Sequence, residues 1–338
     1  MPNIIYTLDN AINRFFSEGG ASSSKIQCDE FAYRMYGGQV RPVDIQGSSS
    51  YTVIAGPSGN KIVQFREPAA MLDMDMLALA KDIHGDVVPS CSELGHIGDP
   101  NGSQLAIYEM DRLPGANYIT VRPSLKRNQQ LNTINSLASF FAQAWQRGTP
   151  AESPLVDRSA IRAQCYSRFN HLADALPERF APAVAETQAA LPALFDEDYP
   201  LVLTHGDLNE MNMLVNPSSG EITGIIDWPD ASILPFGFTL YALENVLGSM
   251  GSGGWKWFDN AEDLRNSFWR AFRGQTGLSE SQTRLTELAG KAGILMRYGT
   301  AYDSGFPGMI GTRDPKSTAR REKLQRAELA KVRKHVAN

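Results

Sequence analysis

Three polar side chains in the second half of the sequence are suited to phosphoryl transfer. Asp207 and Asn212 stand five residues apart after the apolar run 201–203, and Asp227 follows the apolar run 222–226. Transfer of a terminal phosphoryl group needs a carboxylate that accepts the proton of the attacking hydroxyl, and hard oxygen ligands for Mg²⁺. We therefore predict Asp207 as the catalytic residue, and Asn212 and Asp227 as the metal ligands.

The spacing of these residues follows the catalytic loop H-x-D-L-x-x-x-N of protein kinases, with Asp227 where a kinase has its second metal-binding carboxylate. His205 begins the loop, and we interpret it as a residue that holds the loop rather than as a catalyst. A role of Asp207 as a simple turn-former would not account for Asn212 and Asp227 at the required spacings.

The surrounding pattern predicts how these residues are positioned. Short strands are expected at 201–203, 213–215 and 222–226, with a turn at 216–220. Asp207 should then lie on a loop, and Asp227 at the end of a strand.

A loop rich in Gly and Ser in the first third of the chain is a candidate phosphate-binding element. A helix is predicted at Lys25–Tyr36, because Ser24 and Gln27 form a capping-box pattern, and strands are predicted at 40–45 and 51–55. The residues between these strands could bring backbone N–H groups close to a triphosphate. The predicted phosphate-covering residues are Gly47, Ser48, Ser49 and Ser50, and an ordinary hairpin turn is the alternative.

The next predicted strand, 61–66, ends with a cation. Kinases place a phosphate-binding Lys on their third strand, and Arg66 falls on the same alternation. A guanidinium group can bind two phosphate oxygens, so we predict Arg66 as a nucleotide ligand, with a solvated edge arginine as the alternative. An acid on the following helix should orient it, and Asp73 and Asp75 are the two candidates.

The block HGDLNEMNMLV, followed by GIIDW, resembles the aminoglycoside phosphotransferase and choline kinase superfamily, especially its fungal-type members. In that family Ile-Asp-Trp, here Ile226-Asp227-Trp228, replaces the Asp-Phe-Gly of protein kinases. The resemblance implies an α+β, two-lobed, protein-kinase-like fold with a small β-rich lobe (1–113) and a larger α-rich lobe (114–338). It also implies ATP as the phosphoryl donor and Mg²⁺ as the cofactor.

The resemblance further implies that main-chain groups of an interlobe hinge, 108–113, bind the adenine. Glu109 and Met110 are the residues predicted for that contact. The segment 229–237 is similar to the fungal branch and departs from the bacterial antibiotic-resistance pattern, which carries a further Asp shortly downstream of the Ile-Asp-Trp motif. This difference argues against antibiotic inactivation as the native task.

The acceptor is predicted to be a small molecule with a hydroxyl group: an amino alcohol, an aminoglycoside-like compound or a secondary metabolite. Between residues 221 and 263 there are seven acids, one base and many aromatic residues. This composition is typical of an acidic, aromatic pocket for a cationic acceptor, or of a solvated helical surface over an aromatic core. Gly251–Gly254 could form a lid or an idle loop. A kinase-like nucleotide-binding pseudoenzyme with a scaffold or regulatory role is the alternative function.

Composition agrees with a globular enzyme. The chain has 338 residues, of which 42% are hydrophobic and 20% charged, and it carries a net charge of -5. Its three cysteines have no metal-ligand spacing, which favours buried thiols in a reducing compartment, and no signal peptide or membrane span is indicated, so a cytoplasmic location is expected. The mixed charges of 313–334 favour a solvated terminal helix, so neither nucleic acid nor membrane is expected as a partner. Amphipathic helices of a helical second lobe are predicted at 131–145, 159–172 and 180–191.

Overall fold

The computed structural model describes residues 7–18, 21–148, 156–251 and 254–299. The chain divides into two compact units. The first contains Met1–Gly115 and a short later segment, Thr223–Pro229, and the second contains Ala116–Ile222 and Asp230–Asn338. The first boundary lies two residues beyond the predicted one at 113. The assignment of 223–229 to the first unit has no counterpart in the sequence prediction.

The first unit is built on an antiparallel sheet of strand order β1-β2-β3-β5-β4. The predicted helix Lys25–Tyr36 is confirmed, and the strand predicted at 40–45 is reduced to two residues. The elements are α1 (Leu8–Glu18), α2 (Lys25–Tyr36), β1 (Arg41–Pro42), β2 (Ser50–Ala55), β3 (Lys61–Arg66), α3 (Met74–His84), β4 (Cys91–Ile97) and β5 (Leu105–Asp111).

Helices α1 and α2 supply the apolar side chains that cover one face of this sheet. Helix α2 begins where predicted because Ser24 and Gln27 form a complete capping box, and it ends at Gly37, whose φ is 63°. The buried cluster includes Phe15 and Cys28 from the helices and Tyr51 and Phe65 from the strands. Each buried aromatic ring contributes about 1.5–3 kcal/mol to this core.

The second unit is mainly helical, and the helices predicted at 131–145, 159–172 and 180–191 are confirmed as α5, α6 and α7. The two units together have the predicted α+β composition. The elements are β6 (Ala116–Asn117), α4 (Tyr118–Val121), α5 (Arg127–Arg147), α6 (Arg158–Ala175), α7 (Ala181–Leu194), β7 (Leu201–Thr204), β8 (Met213–Val215), β9 (Ile222–Ile225), β10 (Ser232–Pro235), α8 (Tyr241–Val246), β11 (Gly248–Gly251), β12 (Gly254–Trp257), α9 (Ala261–Thr276) and α10 (Glu280–Tyr298).

An aromatic core joins α5 and α9 in the second unit. Phe141 on α5 meets the rings of Phe236 and Phe268 edge-on, and Phe236 stacks on Phe272 at a centroid distance of 5.4 Å. Strand β7 pairs with β10 in antiparallel register, and β6 pairs with β8. These pairs fix both ends of the loop that connects β7 to β8.

Helix α10 packs directly against the main chain of Phe238. It starts with a capping box formed by Ser279 and Gln282. A Cβ atom at Gly293 would lie 1.8 Å from the carbonyl oxygen of Phe238, so only glycine permits this approach. One turn later the helix presents Arg297.

In the part of the chain that the structure describes, no helix is both long and apolar enough to span a bilayer. The helix predicted at 313–334 lies outside the described residues, as do residues 252–253 of the glycine-rich segment.

Candidate active site

The predicted loop carries Asp207 between β7 and β8. A close backbone contact within the second unit fixes its shape. Gly206 has a φ of 76°, and a Cβ atom there would lie 2.0 Å from the carbonyl oxygen of Asp230. The loop therefore requires glycine immediately before Asp207.

The carboxylate of Asp207 is held on several sides by residues of the second unit. Asn209 Nδ2 donates to its Oδ1 at 3.1 Å, and Asn212 Nδ2 lies 3.3 Å from its Oδ2. The main-chain N–H of Asp207 donates to Nδ1 of the buried His205 at 3.3 Å. His205 thus holds the loop, as the sequence indicated, and the carboxylate is oriented before any substrate arrives.

Arg297 is a member of this site that the sequence analysis did not identify. Its Nη2 atom donates to Asp207 Oδ1, and its guanidinium group lies 5.7 Å from the centroid of the Tyr241 ring. The Tyr241 hydroxyl in turn donates to the carbonyl oxygen of Gly206 at 2.7 Å. No local signal marks Arg297, because it lies in an ordinary amphipathic helix far along the chain from Asp207.

The side chain of Asn212 fits the predicted role as a magnesium ligand. The residue is 7% exposed, and its Nδ2 also donates to the main-chain oxygen of Asp207 at 2.8 Å. Because the amide nitrogen is engaged there, the amide oxygen is directed elsewhere, and no described residue donates a hydrogen bond to it. A buried amide oxygen of this kind is a hard ligand suited to Mg²⁺.

Asp227 belongs to the first unit and has a rare backbone conformation. Its φ is 67°, the only positive value among the described residues other than glycine. The segment around it is secured by Trp228, which is buried and donates from Nε1 to the Ile225 carbonyl oxygen at 2.9 Å. Such conformations cost about 1–3 kcal/mol and are concentrated at functional sites.

Arg66 is the cation that pairs with Asp227. It is 3% exposed, and its Nη1 atom lies 3.1 Å from Asp227 Oδ1 and 2.8 Å from Gln64 Oε1. Its Nε donates to the Ala70 carbonyl oxygen at 2.5 Å. The alternative of a solvated edge arginine is therefore wrong.

The prediction that an acid on the following helix orients Arg66 is also wrong. The carboxylate of Asp73 caps α3 by accepting from the N–H groups of Asp75 and Met76. Asp75 lies exposed in the first turn of that helix. Because the Asp73 carboxylate caps the N-terminus of α3, the carboxylate that pairs with Arg66 comes instead from Asp227, far along the chain.

Three of the four predicted phosphate-covering residues lie in the loop between the antiparallel strands β1 and β2, and the fourth is the first residue of β2. Gly47 and Ser48 are exposed and Ser49 is half-buried, whereas Ser50 is buried as the first residue of β2. The loop is anchored by Gln46, whose side chain pairs with both backbone groups of Thr52 at 2.8 and 2.9 Å. Contact of these residues with phosphates stays a prediction.

The predicted adenine-binding residues, Glu109 and Met110, lie within β5 and pair with β3 on one side and β4 on the other. The Glu109 carboxylate accepts hydrogen bonds from the Tyr36 hydroxyl and from Lys61 Nζ, the latter at 3.1 Å. The bond from Tyr36 is the main cause that lowers the pKa of Glu109, with Lys61 adding to it. The Glu109 side chain thus has a structural role, and the adenine contact stays a prediction.

Comparison with known proteins agrees with this geometry. The family model APH, described as a phosphotransferase enzyme family, matches residues 40–248. Among curated proteins no relative was found.

Several solved structures share the fold. One is the GDP complex of wild-type aminoglycoside 2'-phosphotransferase-IIIa, with 16% identity, coverage of 94% of this chain and 99% of that chain, and a TM-score of 0.55. Another is ADP-bound aminoglycoside phosphotransferase APH(2'')-Ib, with 14% identity, coverage of 90% and 98%, and a TM-score of 0.51. The gentamicin complex of APH(2'')-IIa has 12% identity, coverage of 92% and 96%, and a TM-score of 0.51. Because the family model covers most of the chain and includes the Asp207 loop, the chain belongs to the APH family of phosphotransferase enzymes and is a small-molecule kinase.

Proposed function

We propose that this protein transfers the γ-phosphate of ATP, in the presence of Mg²⁺, to a hydroxyl group of a small molecule. The observation that carries the proposal is the Asp207 carboxylate, which is held by Asn209, Asn212 and Arg297 on a loop whose backbone requires Gly206. A fixed carboxylate is what general-base catalysis of phosphoryl transfer requires.

In this proposal Asp207 orients the acceptor hydroxyl and accepts its proton. The Asn212 amide oxygen and the Asp227 carboxylate would hold Mg²⁺, which would supply positive charge against the phosphates. Arg66 orients Asp227 through Nη1 and contributes a positive charge for phosphate through Nη2, which has no acceptor among the described residues. Gly47 to Ser50 would cover the phosphates, and main-chain groups at Glu109 and Met110 would bind the adenine.

The nucleotide part of the proposal is supported by proteins of the same fold. Their structures were determined with ADP or GDP bound, and one contains ATP together with streptomycin. In those proteins the fold therefore holds purine nucleotides.

Substitution of Asp207 by Asn tests the mechanism. The change keeps the shape of the side chain but removes the proton acceptor, so transfer should fall by at least about a hundredfold while ATP affinity is kept. Transfer can be measured with a metabolite extract and ATP labelled in the γ-phosphoryl group, with products detected by mass spectrometry. Asp75→Asn, an exposed acid outside the site, is the matched control.

Two outcomes would contradict the proposal. Near-normal turnover by Asp207→Asn would remove Asp207 from the mechanism. Wild-type protein that binds Mg·ATP, but neither hydrolyses it nor phosphorylates any compound in the extract, would be the nucleotide-binding scaffold that the sequence left as the alternative.

A further inference from the structure

Two acids in the region predicted to meet a cationic acceptor are already paired with arginines of the second unit. Glu244 is buried and binds Arg265 through two hydrogen bonds, at 3.1 and 2.7 Å. Asp263 lies 2.7 Å from Arg127. A polycationic acceptor would have to displace these internal pairs, and the buried one would be costly to break.

The aromatic faces in the same region are also covered by arginines. Arg265 lies 5.2 Å from the centroid of the Trp257 ring, and Arg122 lies 5.6 Å from that of Phe258. Arg297 is placed in the same way over Tyr241. These cation-π positions are the ones that an aromatic site for an amine would use, and here protein cations fill them.

Two arginines lie at the Asp207 loop, and each is paired with an acid of that loop. Arg297 binds Asp207 Oδ1, and Arg122 Nη1 lies 3.9 Å from Glu210 Oε1. The Arg297 side chain is only 17% exposed, so water screens its charge less than it would on the surface.

An acceptor hydroxyl must approach the Asp207 carboxylate to within about 3 Å to give up its proton. Because Arg297 is bonded to the same carboxylate, that hydroxyl arrives within a few ångströms of a guanidinium group. Because Arg297 already neutralises this carboxylate, a cationic group beside the hydroxyl would gain no net attraction from Asp207 and would lie close to the guanidinium group, whereas a neutral or anionic group would meet no such repulsion from Arg297.

We infer that the acceptor of this enzyme carries no positive charge near its reacting hydroxyl, and that Arg297 is the residue that sets this preference. The acceptor is thus an uncharged or anionic alcohol rather than an aminoglycoside-like amine. The inference rests on the proposed function and narrows its substrate class.

The first test divides a metabolite extract by cation exchange and supplies both fractions with labelled ATP. Wild-type enzyme should phosphorylate compounds in the unretained fraction and few in the retained one. Arg297→Gln should lower the ratio of unretained to retained products by at least about tenfold, the size expected for one weakly screened charge at short range. Arg297→Lys should keep the wild-type ratio because it keeps the charge.

The product ratio separates specificity from general damage, since any loss of Asp207 positioning lowers both products together. Lys291→Gln is the matched control, because Lys291 lies on the same helix and pairs with Glu186 at 3.2 Å, away from the loop. Its ratio should equal that of wild type. Products mainly in the retained fraction for wild type, or an unchanged ratio for Arg297→Gln, would overturn the inference.

A binding measurement distinguishes failure of this inference from failure of the proposed function. Choline and 3,3-dimethylbutan-1-ol have nearly the same shape and differ in charge, and their affinities can be compared by calorimetry with Mg²⁺ and a non-hydrolysable ATP analogue. The neutral compound should bind at least about tenfold more tightly to wild type and lose this advantage in Arg297→Gln. No transfer to any compound would refute the proposed function. Tighter binding of choline to wild type, or no difference between the two compounds, would refute the inference.

Discussion

Replacement of Asp227 by Ala should destabilise the first unit by about 1.5–3 kcal/mol, apart from any effect on catalysis. Arg66 is 3% exposed and would lose its carboxylate partner, whose side chain is 39% exposed. Breaking a buried pair costs about 3–5 kcal/mol and an exposed pair about 0–1, so this half-exposed pair should cost about 1.5–2. Ala tolerates the φ of 67° less well than Asp, which adds up to about 1 kcal/mol.

The assay is the free energy of unfolding from urea titration, compared among single variants. Asp75→Ala, which removes an exposed acid in the same unit, should change it by less than about 0.5 kcal/mol. Asp227→Gly should cost about 1 kcal/mol less than Asp227→Ala, because glycine adopts a positive φ without strain. A double-mutant cycle of Asp227→Ala with Arg66→Met should give a coupling energy of about 1–2 kcal/mol.

The reasoning fails if Asp227→Ala is no more destabilising than Asp75→Ala. It also fails if the cycle shows no coupling, because Arg66 and Asp227 would then be neighbours without energetic dependence.

Three further predictions concern the loop, a carboxylate and the thiols. Gly206→Ala should reduce transfer by at least about a hundredfold in steady-state assays, because its Cβ would lie 2.0 Å from the Asp230 carbonyl oxygen and would displace the loop. The lowered pKa of Glu109 contributes stability that is fully present above the ordinary pKa of 4.5 and is lost as the pH falls below it. In urea titrations over that pH range, the free energy of unfolding of Tyr36→Phe should therefore depend less on pH than that of wild type. Burial raises the pKa of all three cysteine thiols to about 12, so an aromatic disulfide reagent at pH 8 should react slowly with native protein and fast after unfolding.

Each of these predictions has an outcome that would contradict it. Wild-type turnover by Gly206→Ala would show that the loop adjusts freely. Equal acid sensitivity of wild type and Tyr36→Phe would mean that the hydroxyl does not stabilise the ionised form of Glu109. Rapid reaction of three thiols in the native protein would show that they are accessible.

The sequence predicted the elements that depend on local signals. Each of these signals lies within one short, continuous stretch of sequence, so its whole pattern is visible without knowledge of the fold. Examples are the capping box of α2, the apolar stripe of α5 and the short strands around Asp207. The Asp207 loop was found for the same reason, because its residue types and spacing lie in one continuous stretch.

The partners of Asp207 and Asp227 could not be predicted, because each partner is distant in the sequence from its acid. Arg297 reaches Asp207 from the last described helix, and Asp227 reaches Arg66 from a segment far beyond the first unit's main portion. The sequence analysis placed the acid for Arg66 on the adjacent helix, where Asp73 instead serves as an N-cap. Residue spacing alone does not encode such long-range pairs.

The first unit is built from two separate stretches of the chain, and this affects the order in which it can fold during synthesis. Thr223–Pro229 is synthesised only after the whole stretch Ala116–Ile222, yet it supplies the carboxylate that compensates Arg66. Until Asp227 has left the ribosome, the nascent first unit would bury a guanidinium group without this counter-ion, so its sheet is expected to complete its folding late. A fragment that ends at Gly115 would keep Arg66 without its counter-ion permanently, so expression of residues 1–115 alone should yield an unstable product.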